Sequence, residues 1–207
     1  MKKTVLILIC MHILSAGLYP REALIVLGGV FGKKPKMKKV EKVLKENLDY
    51  DIYVIDYIRR SSLELSYSNM VRGIAEVDTA RYDKVHFLCY IFGGKLIMRY
   101  FTEHQLDNLG RIILDRSPLE EVLPDAVKAK GGDRMVMAFG GPNLLAYSLI
   151  EYFKLPVYLK DKTIGLIIEK RAIGLCYLFE EEIIALKPSF DPVDLMEHYD
   201  DYFYVSV

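Results

Sequence analysis

The chain has no tryptophan and no excess charge of either sign, with 28 Lys and Arg set against 28 Asp and Glu in 207 residues. Nucleic-acid-binding domains usually show a basic excess or a dense basic face, so this balance argues against a nucleic-acid partner. Cysteine is scarce: Cys10, Cys89 and Cys176 are the only three. They form neither a CxxC pair nor a Cys/His spacing, which excludes a zinc module and a disulfide framework. Each is expected to be a free or buried thiol. No apolar run reaches the ~20 residues that a membrane-crossing helix needs. Internal repeats and low-complexity tracts are also missing.

What is present is an ordinary globular balance, 52% hydrophobic and 27% charged, in a length that suits one domain with a real core. Residues 1–20 differ from the rest. Lys2 and Lys3 precede an apolar run from Val5 to Leu14, interrupted by His12 and followed by Ser15, Ala16 and Gly17. A basic start, a short apolar core and small residues make the plan of a secretory signal or anchor. That plan predicts a secreted or envelope-associated protein, otherwise a cytoplasmic one, and a fold that survives removal of residues 1–19. The other reading is an extra buried strand or helix of the domain. No lipobox accompanies Cys10, because Ile9 precedes it.

From residue 21 onward, short apolar runs alternate with amphipathic stretches. Ala23–Leu27, Tyr53–Ile55, Val85–Cys89, Ile112–Leu114, Ile164–Ile168 and Tyr202–Val207 read as strands. The continuous apolar runs among them suit strands buried on both faces. Met37, Val40, Leu44 and Leu48 mark one helix face. A second helix carries Tyr67, Met70, Val71, Ile74 and Val77, with Ser66 as its expected N-cap. Leu96, Ile97, Tyr100 and Phe101 mark a third. Residues 116–141, with Pro118, Pro124 and the glycines 131, 132, 140 and 141, read as loop with short helical pieces. A helix from Leu144 to Phe153 follows Pro142, a residue suited to a helix start. This rhythm predicts an α/β domain over residues 21–207, with a mostly parallel central sheet and helices on both faces.

The sharpest local feature is Cys89-Tyr90-Ile91-Phe92-Gly93-Gly94 between a strand and a helix. In G-x-S-x-G a serine stands on a strained strand-to-helix turn, and small residues two before and two after let the chain bend. Gly93 keeps the second small position and Cys89 stands in for the first. The nucleophile position is Ile91, whose side chain has no lone pair to attack with. Holding a β-branched residue at positive φ costs about 1–3 kcal/mol, so the turn is expected to have relaxed.

Leu27-Gly28-Gly29-Val30-Phe31-Gly32 resembles an H-G-x-x-G oxyanion loop with glycine in place of histidine. Tyr53–Tyr57 and Lys84–Leu88 look like the strands before the elbow. Asn108–Asp115 with Ser117-Pro118-Leu119, and Ala138-Phe139-Gly140-Gly141-Pro142, look like the segments after it. Together, from about Leu24 to Val207, the sequence resembles the lipase and esterase branch of the α/β-hydrolase superfamily. The resemblance implies a C-terminally shortened hydrolase-type sheet. It also implies an oxyanion remnant at Gly28, Gly29, Val30 and Phe92, and elbow glycines at Gly93 and Gly94.

The same resemblance shows what is lost. The family's acid follows a late strand, and the nearest match is Asp191, which also reads as a helix N-cap before Pro192. The family's histidine follows the last strand, where this sequence has none. His12 lies in the leader, His86 in a strand, His104 on the elbow helix and His198 in a polar stretch, and each reads as structural or solvated. Cys89 should point into the sheet. Ser117 has no histidine placed to activate it. Ser61 and Ser62 read as turn residues. Glu180–Glu182 is a charge run, and Glu197-His198 lacks metal-ligand spacing, so neither a metal nor a cofactor is expected. Lys33, Lys34, Lys36, Lys38 and Lys39 crowd a helix start, where cations oppose the helix dipole. They read as a solvated surface or as a contact for anionic lipid headgroups. The leading expectation is a non-catalytic hydrolase relative that binds an apolar or acyl ligand or an envelope partner. The alternatives are an active ester or lipid hydrolase with a displaced nucleophile, and a decaying copy without function.

Overall fold

The computed structural model describes residues 21–29, 34–116, 123–148, 156–159, 161–169, 178–179, 181–182, 185 and 201–205. The leader, Val30, Lys33, Ser117, Glu180, Asp191 and His198 lie outside the described residues.

The elements are β1 (Glu22–Leu27), α1 (Lys34–Asn47), β2 (Asp51–Ile55), α2 (Leu63–Ala75), β3 (Lys84–Tyr90), α3 (Phe92–Glu103), β4 (Leu109–Arg116), α4 (Leu123–Ser148), β5 (Ile164–Glu169) and β6 (Asp201–Val205). The strands form one six-stranded sheet in the order β2-β1-β3-β4-β5-β6. Every pairing is parallel. The expected α/β sheet is therefore present. Parallel strands need crossovers, and the alternating helices supply them. The run Ala23–Leu27 is buried throughout, as a central strand covered on both faces requires.

One face packs against α2 and α3. Met70 and Ile74 from α2, and Leu96, Ile97 and Phe101 from α3, join Ile25, Phe87, Ile112 and Leu114 in one core. A smaller cluster on the other face gathers Leu24, Val26 and Ile52 beneath Met37 and Leu44 of α1. The expected apolar stripe of α1 is narrower than its spacing suggests. Val40 and Leu48 stand 38% and 37% exposed, at the margin of the packed face.

Two local expectations are corrected. The N-cap of α2 is Ser62, not Ser66. Ser62 is extended and its hydroxyl accepts from the Leu65 amide at 3.2 Å. The helix begins at Leu63, one turn before the apolar stripe that opens at Tyr67, and that leaves Ser66 buried inside it. Within 116–141, the expected short helical pieces are present but fill the whole part from Leu123 onward, leaving less loop than expected. The helical stretch Leu123–Ser148 is broken at Gly132 and Gly141, which take φ of 65° and 74°. Each glycine ends one helical piece, and Pro142 opens the last, where its missing N–H costs nothing.

Candidate functional site

In a doubly wound sheet, ligands settle at the carboxyl ends of the strands where the winding reverses. Here the chain steps from β1 to β2 on one side and then to β3 on the other, so the reversal lies between β1 and β3. Their carboxyl ends carry Gly28-Gly29 and Ile91-Phe92-Gly93. Two separate stretches of sequence, read as oxyanion loop and elbow, thus meet at the one place where the fold forms a crevice.

The elbow has not relaxed. Ile91 holds φ 30° and ψ −82°, and among the described residues it is the only non-glycine at positive φ. Its surroundings explain how the strain persists. The Ile91 amide donates to the Asp115 carbonyl at 2.9 Å, tying the turn to the end of β4. Its own carbonyl accepts from the Lys95 amide at 3.2 Å, which starts the α3 ladder. Phe92 is 1% exposed and lies 6.1 Å, nearly parallel, from the Tyr57 ring. A Cβ on Gly93 would come 2.7 Å from the Leu27 carbonyl oxygen and 2.8 Å from the Leu27 Cβ. α3 thus rests directly on β1, and the turn is clamped from three sides.

Gly28 and Gly29 are buried. The Tyr57 hydroxyl donates to the Gly28 carbonyl, and the Tyr90 ring lies directly against Gly29. Tyr57 therefore joins the loop after β1 to the start of α3. Sequence reasoning missed this tyrosine, since an aromatic just after a strand carries no distinguishing pattern.

Among the described residues, no histidine is placed to serve the elbow. His86 lies five residues before Ile91 on an extended strand, roughly 16 Å away along the chain. Its Nδ1 accepts from the Arg111 amide at 2.9 Å, and its Nε2 lies 3.0 Å from Glu22. With the amide donating to Nδ1, the ring proton sits on Nε2 and points at the carboxylate. Tyr50 stacks on the same ring at 5.3 Å. His104 closes the far end of α3 and stacks on Tyr100 at 4.4 Å. Cys89 is fully buried, and burial pushes its thiol well above the ordinary range. Such a thiol supplies no thiolate at neutral pH. Among the described residues, no group of three His, Cys, Asp or Glu is placed to hold a metal ion.

A cavity of about 390 Å³ opens beside the elbow, at the ends of β1 and β2. Gly28, Met37, Val54, Tyr57, Lys38 and Arg60 are among its lining residues. Tyr57 is buried, Lys38, Asp56 and Arg60 are exposed and Glu41 is half-buried, so the mouth carries charges of both signs. The loop 56–60 along one side is pinned from α4. The Asn143 side chain donates to the Arg59 carbonyl at 2.8 Å and to the Ser66 hydroxyl at 3.1 Å. Ser66 in turn accepts from the Arg59 amide at 2.8 Å. Gly141 makes this docking possible, because a Cβ there would lie 2.9 Å from the Arg60 carbonyl oxygen.

Lys36, Lys38 and Lys39 are exposed on the first turns of α1, which has no acidic residue in its first turn. Further along, Lys45 and Lys42 pair with Glu41 and Glu46. No described helix is long and apolar enough to cross a membrane.

No protein-family model and no curated protein matches the chain. Solved structures do. A bromoperoxidase from Bacillus anthracis superposes with a TM-score of 0.51 at 8% identity, over 91% of this chain and 84% of that one. A lipase-esterase related protein from Clostridium acetobutylicum gives 0.46 at 13% identity, over 88% and 84%. An esterase from Pyrococcus furiosus gives 0.44 at 14% identity, over 90% and 74%. The first of these carries the comparison of folds.

Proposed function

We propose that this chain, whose fold is that of the α/β-hydrolases, is a non-catalytic member of that fold that binds a small acyl ligand beside its elbow. The observation that carries the reading is Ile91, an alkyl side chain held at φ 30° where the fold presents a nucleophile. Acyl transfer at this position needs an oxygen or sulfur lone pair and a base to take its proton. Ile91 offers neither lone pair nor proton, and both described histidines are engaged elsewhere in the fold. The strained turn therefore serves as a joint between β3, α3 and β1.

The ligand site is the cavity at Gly28, Met37, Val54 and Tyr57. Its apolar side chains suit a short acyl chain, and the mixed charges at the mouth, Lys38 and Arg60 beside Glu41 and Asp56, suit a polar acyl head group. With Lys36 and Lys39, Lys38 also forms a basic surface that favours anionic lipid headgroups, each lysine adding about 1 kcal/mol near a charged bilayer.

The catalytic half of the proposal is tested with a fluorophosphonate probe and nitrophenyl esters. No labelling and no turnover are expected, and a probe adduct mapped to any serine would establish a displaced nucleophile instead. The binding half is tested with a fluorescent medium-chain fatty acid. Saturable binding is expected, lost on Val54→Trp and weakened by Lys38→Glu. Non-saturable binding, or binding indifferent to both changes, would remove the cavity as a ligand site. Co-sedimentation with phosphatidylserine vesicles, compared between the parent and a Lys36→Glu, Lys38→Glu, Lys39→Glu variant, tests the basic surface.

A further inference from the structure

The cavity beside the elbow is apolar within and charged at its mouth. Met37, Val54 and Ile58 are half-buried and Tyr57 is buried. Tyr57 offers a ring rather than a hydrogen-bonding group, because its hydroxyl already donates to the Gly28 carbonyl. Burying a polar head without a partner is costly. A bound chain therefore lies inward and its head stays at the mouth.

The mouth holds Lys38, Arg60, Glu41 and Asp56, but the two signs are not equally available to a ligand. Glu41 is engaged by Lys45, one helical turn on, with Nζ 2.6 Å from Oε1. Glutamate four places ahead of lysine is the favoured order on a helix. Asp56 lies 3.6 Å from Nη1 of Arg59. The same nitrogen donates to the Ile58 carbonyl at 2.8 Å, which holds the guanidinium against the loop. Neither Lys45 nor Arg59 lines the cavity. Each acid of the mouth is thus answered by a cation from outside it. Such pairs add little stability in water, but each cancels most of its carboxylate's field at a ligand a few ångströms away. Among the described residues, no carboxylate pairs with Lys38. Taken with their partners, the charges around the mouth are predominantly positive.

We infer that the cavity selects an anionic head group, as in the carboxylate of a single-chain fatty acid. Lys38 sets the sign, and the Glu41–Lys45 pair keeps the nearest acid from opposing it. This rests on the acyl-binding reading above and goes beyond it by assigning the charge of the ligand and a role to Lys45, which does not line the cavity.

The test measures how well decanoate and decylammonium each displace the fluorescent fatty acid. The ratio of the two affinities cancels the shared chain and isolates the head group. Decanoate is expected to bind at least about fivefold more tightly, the effect of one solvent-screened ion pair. Lys38→Gln removes most of that preference. Lys45→Gln does the same by leaving Glu41 unanswered, so that decanoate weakens while decylammonium tightens. Lys42→Gln takes the same charge from the same helix, but Lys42 pairs with Glu46 and does not line the mouth. It should leave the ratio nearly unchanged. All three lysines are exposed, so the fold is kept, and circular dichroism checks it. Equal affinity for the two ligands would overturn the inference while leaving the cavity a binding site. So would equal effects of Lys45→Gln and Lys42→Gln, which would mean that only the net charge of α1 counts. If neither ligand displaces the probe, or displacement is indifferent to Val54→Trp, the acyl-binding reading itself falls and takes the inference with it.

Discussion

Gly93 and Gly94 are neighbours in the first turn of α3, and the structure predicts opposite responses to the same substitution. A Cβ on Gly93 would meet the Leu27 carbonyl oxygen at 2.7 Å and the Leu27 Cβ at 2.8 Å. Neither atom is the free end of a flexible side chain, and both belong to the central strand β1, so relief requires α3 to move off the sheet. Overpacking of this kind costs about 1–3 kcal/mol, which outweighs the gain of up to ~1 kcal/mol from replacing a helical glycine by alanine. A Cβ on Gly94 meets only the Leu114 Cδ2, at 3.5 Å, an ordinary contact. There the helix term stands alone, and Gly94→Ala should be neutral or stabilising by up to ~1 kcal/mol. The helix term is common to both, so the two variants should differ by about 1–3 kcal/mol, or several degrees in melting temperature at ~2–4 °C per kcal/mol. Urea unfolding followed by circular dichroism measures this, with an unchanged m-value as the check that only stability moved. The reasoning fails if Gly93→Ala is as stable as the parent, or if Gly94→Ala loses as much as Gly93→Ala.

At Ile91, glycine should be better tolerated than alanine, by about 1 kcal/mol or more in urea unfolding. Both lose a side chain only 8% exposed, but only glycine sheds the cost of φ 30°, and equal losses would mean that the turn is not strained. Ile91→Ser alone should give no more than weak ester turnover, since a serine without a base is a poor nucleophile; vigorous nitrophenyl acetate hydrolysis would show that an existing histidine already serves it. Asn143→Ala should cost about 0.5–1.5 kcal/mol, since the Arg59 carbonyl loses one donor and keeps the Ser66 hydroxyl, and should weaken fatty-acid binding by loosening loop 56–60. For pH, Glu103 is held below the usual carboxylate range by the Tyr67 hydroxyl and then by Arg99, and Glu64 by Arg99. A lowered pKa gives stability that is present above the unfolded value near 4 and is lost as pH falls through the folded value. Arg99→Leu should therefore raise the midpoint of acid unfolding. The charge-dependent loss should be no more than ~1 kcal/mol per pair at pH 7, because Arg99 is 39% exposed and solvent screens both pairs. A midpoint that moves down, or not at all, would refute the pairing.

The strand–helix alternation was readable because burying a parallel sheet on both faces demands continuous apolar runs, and Ala23–Leu27, Val85–Cys89 and Ile164–Ile168 are such runs. The identity of Ile91 is a covalent fact, so the absence of a nucleophile there needed no structure. Whether the turn kept its strain was a different matter. It depends on Asp115, Tyr57 and Leu27, which lie 24, 34 and 64 positions away along the chain, and no local pattern records that they converge. The helical stretch around Gly132 and Gly141 was hidden for a related reason. Glycine propensity describes an isolated segment, whereas Asn143 draws that segment onto Arg59 and Ser66 through hydrogen bonds. The cavity depends on strand order, which sequence periodicity does not encode. The sequence determined which residues want to be buried and which chemistry they lack. The tertiary structure alone decided which of them meet, because strain, docking and exposure arise from contacts between residues far apart in the chain.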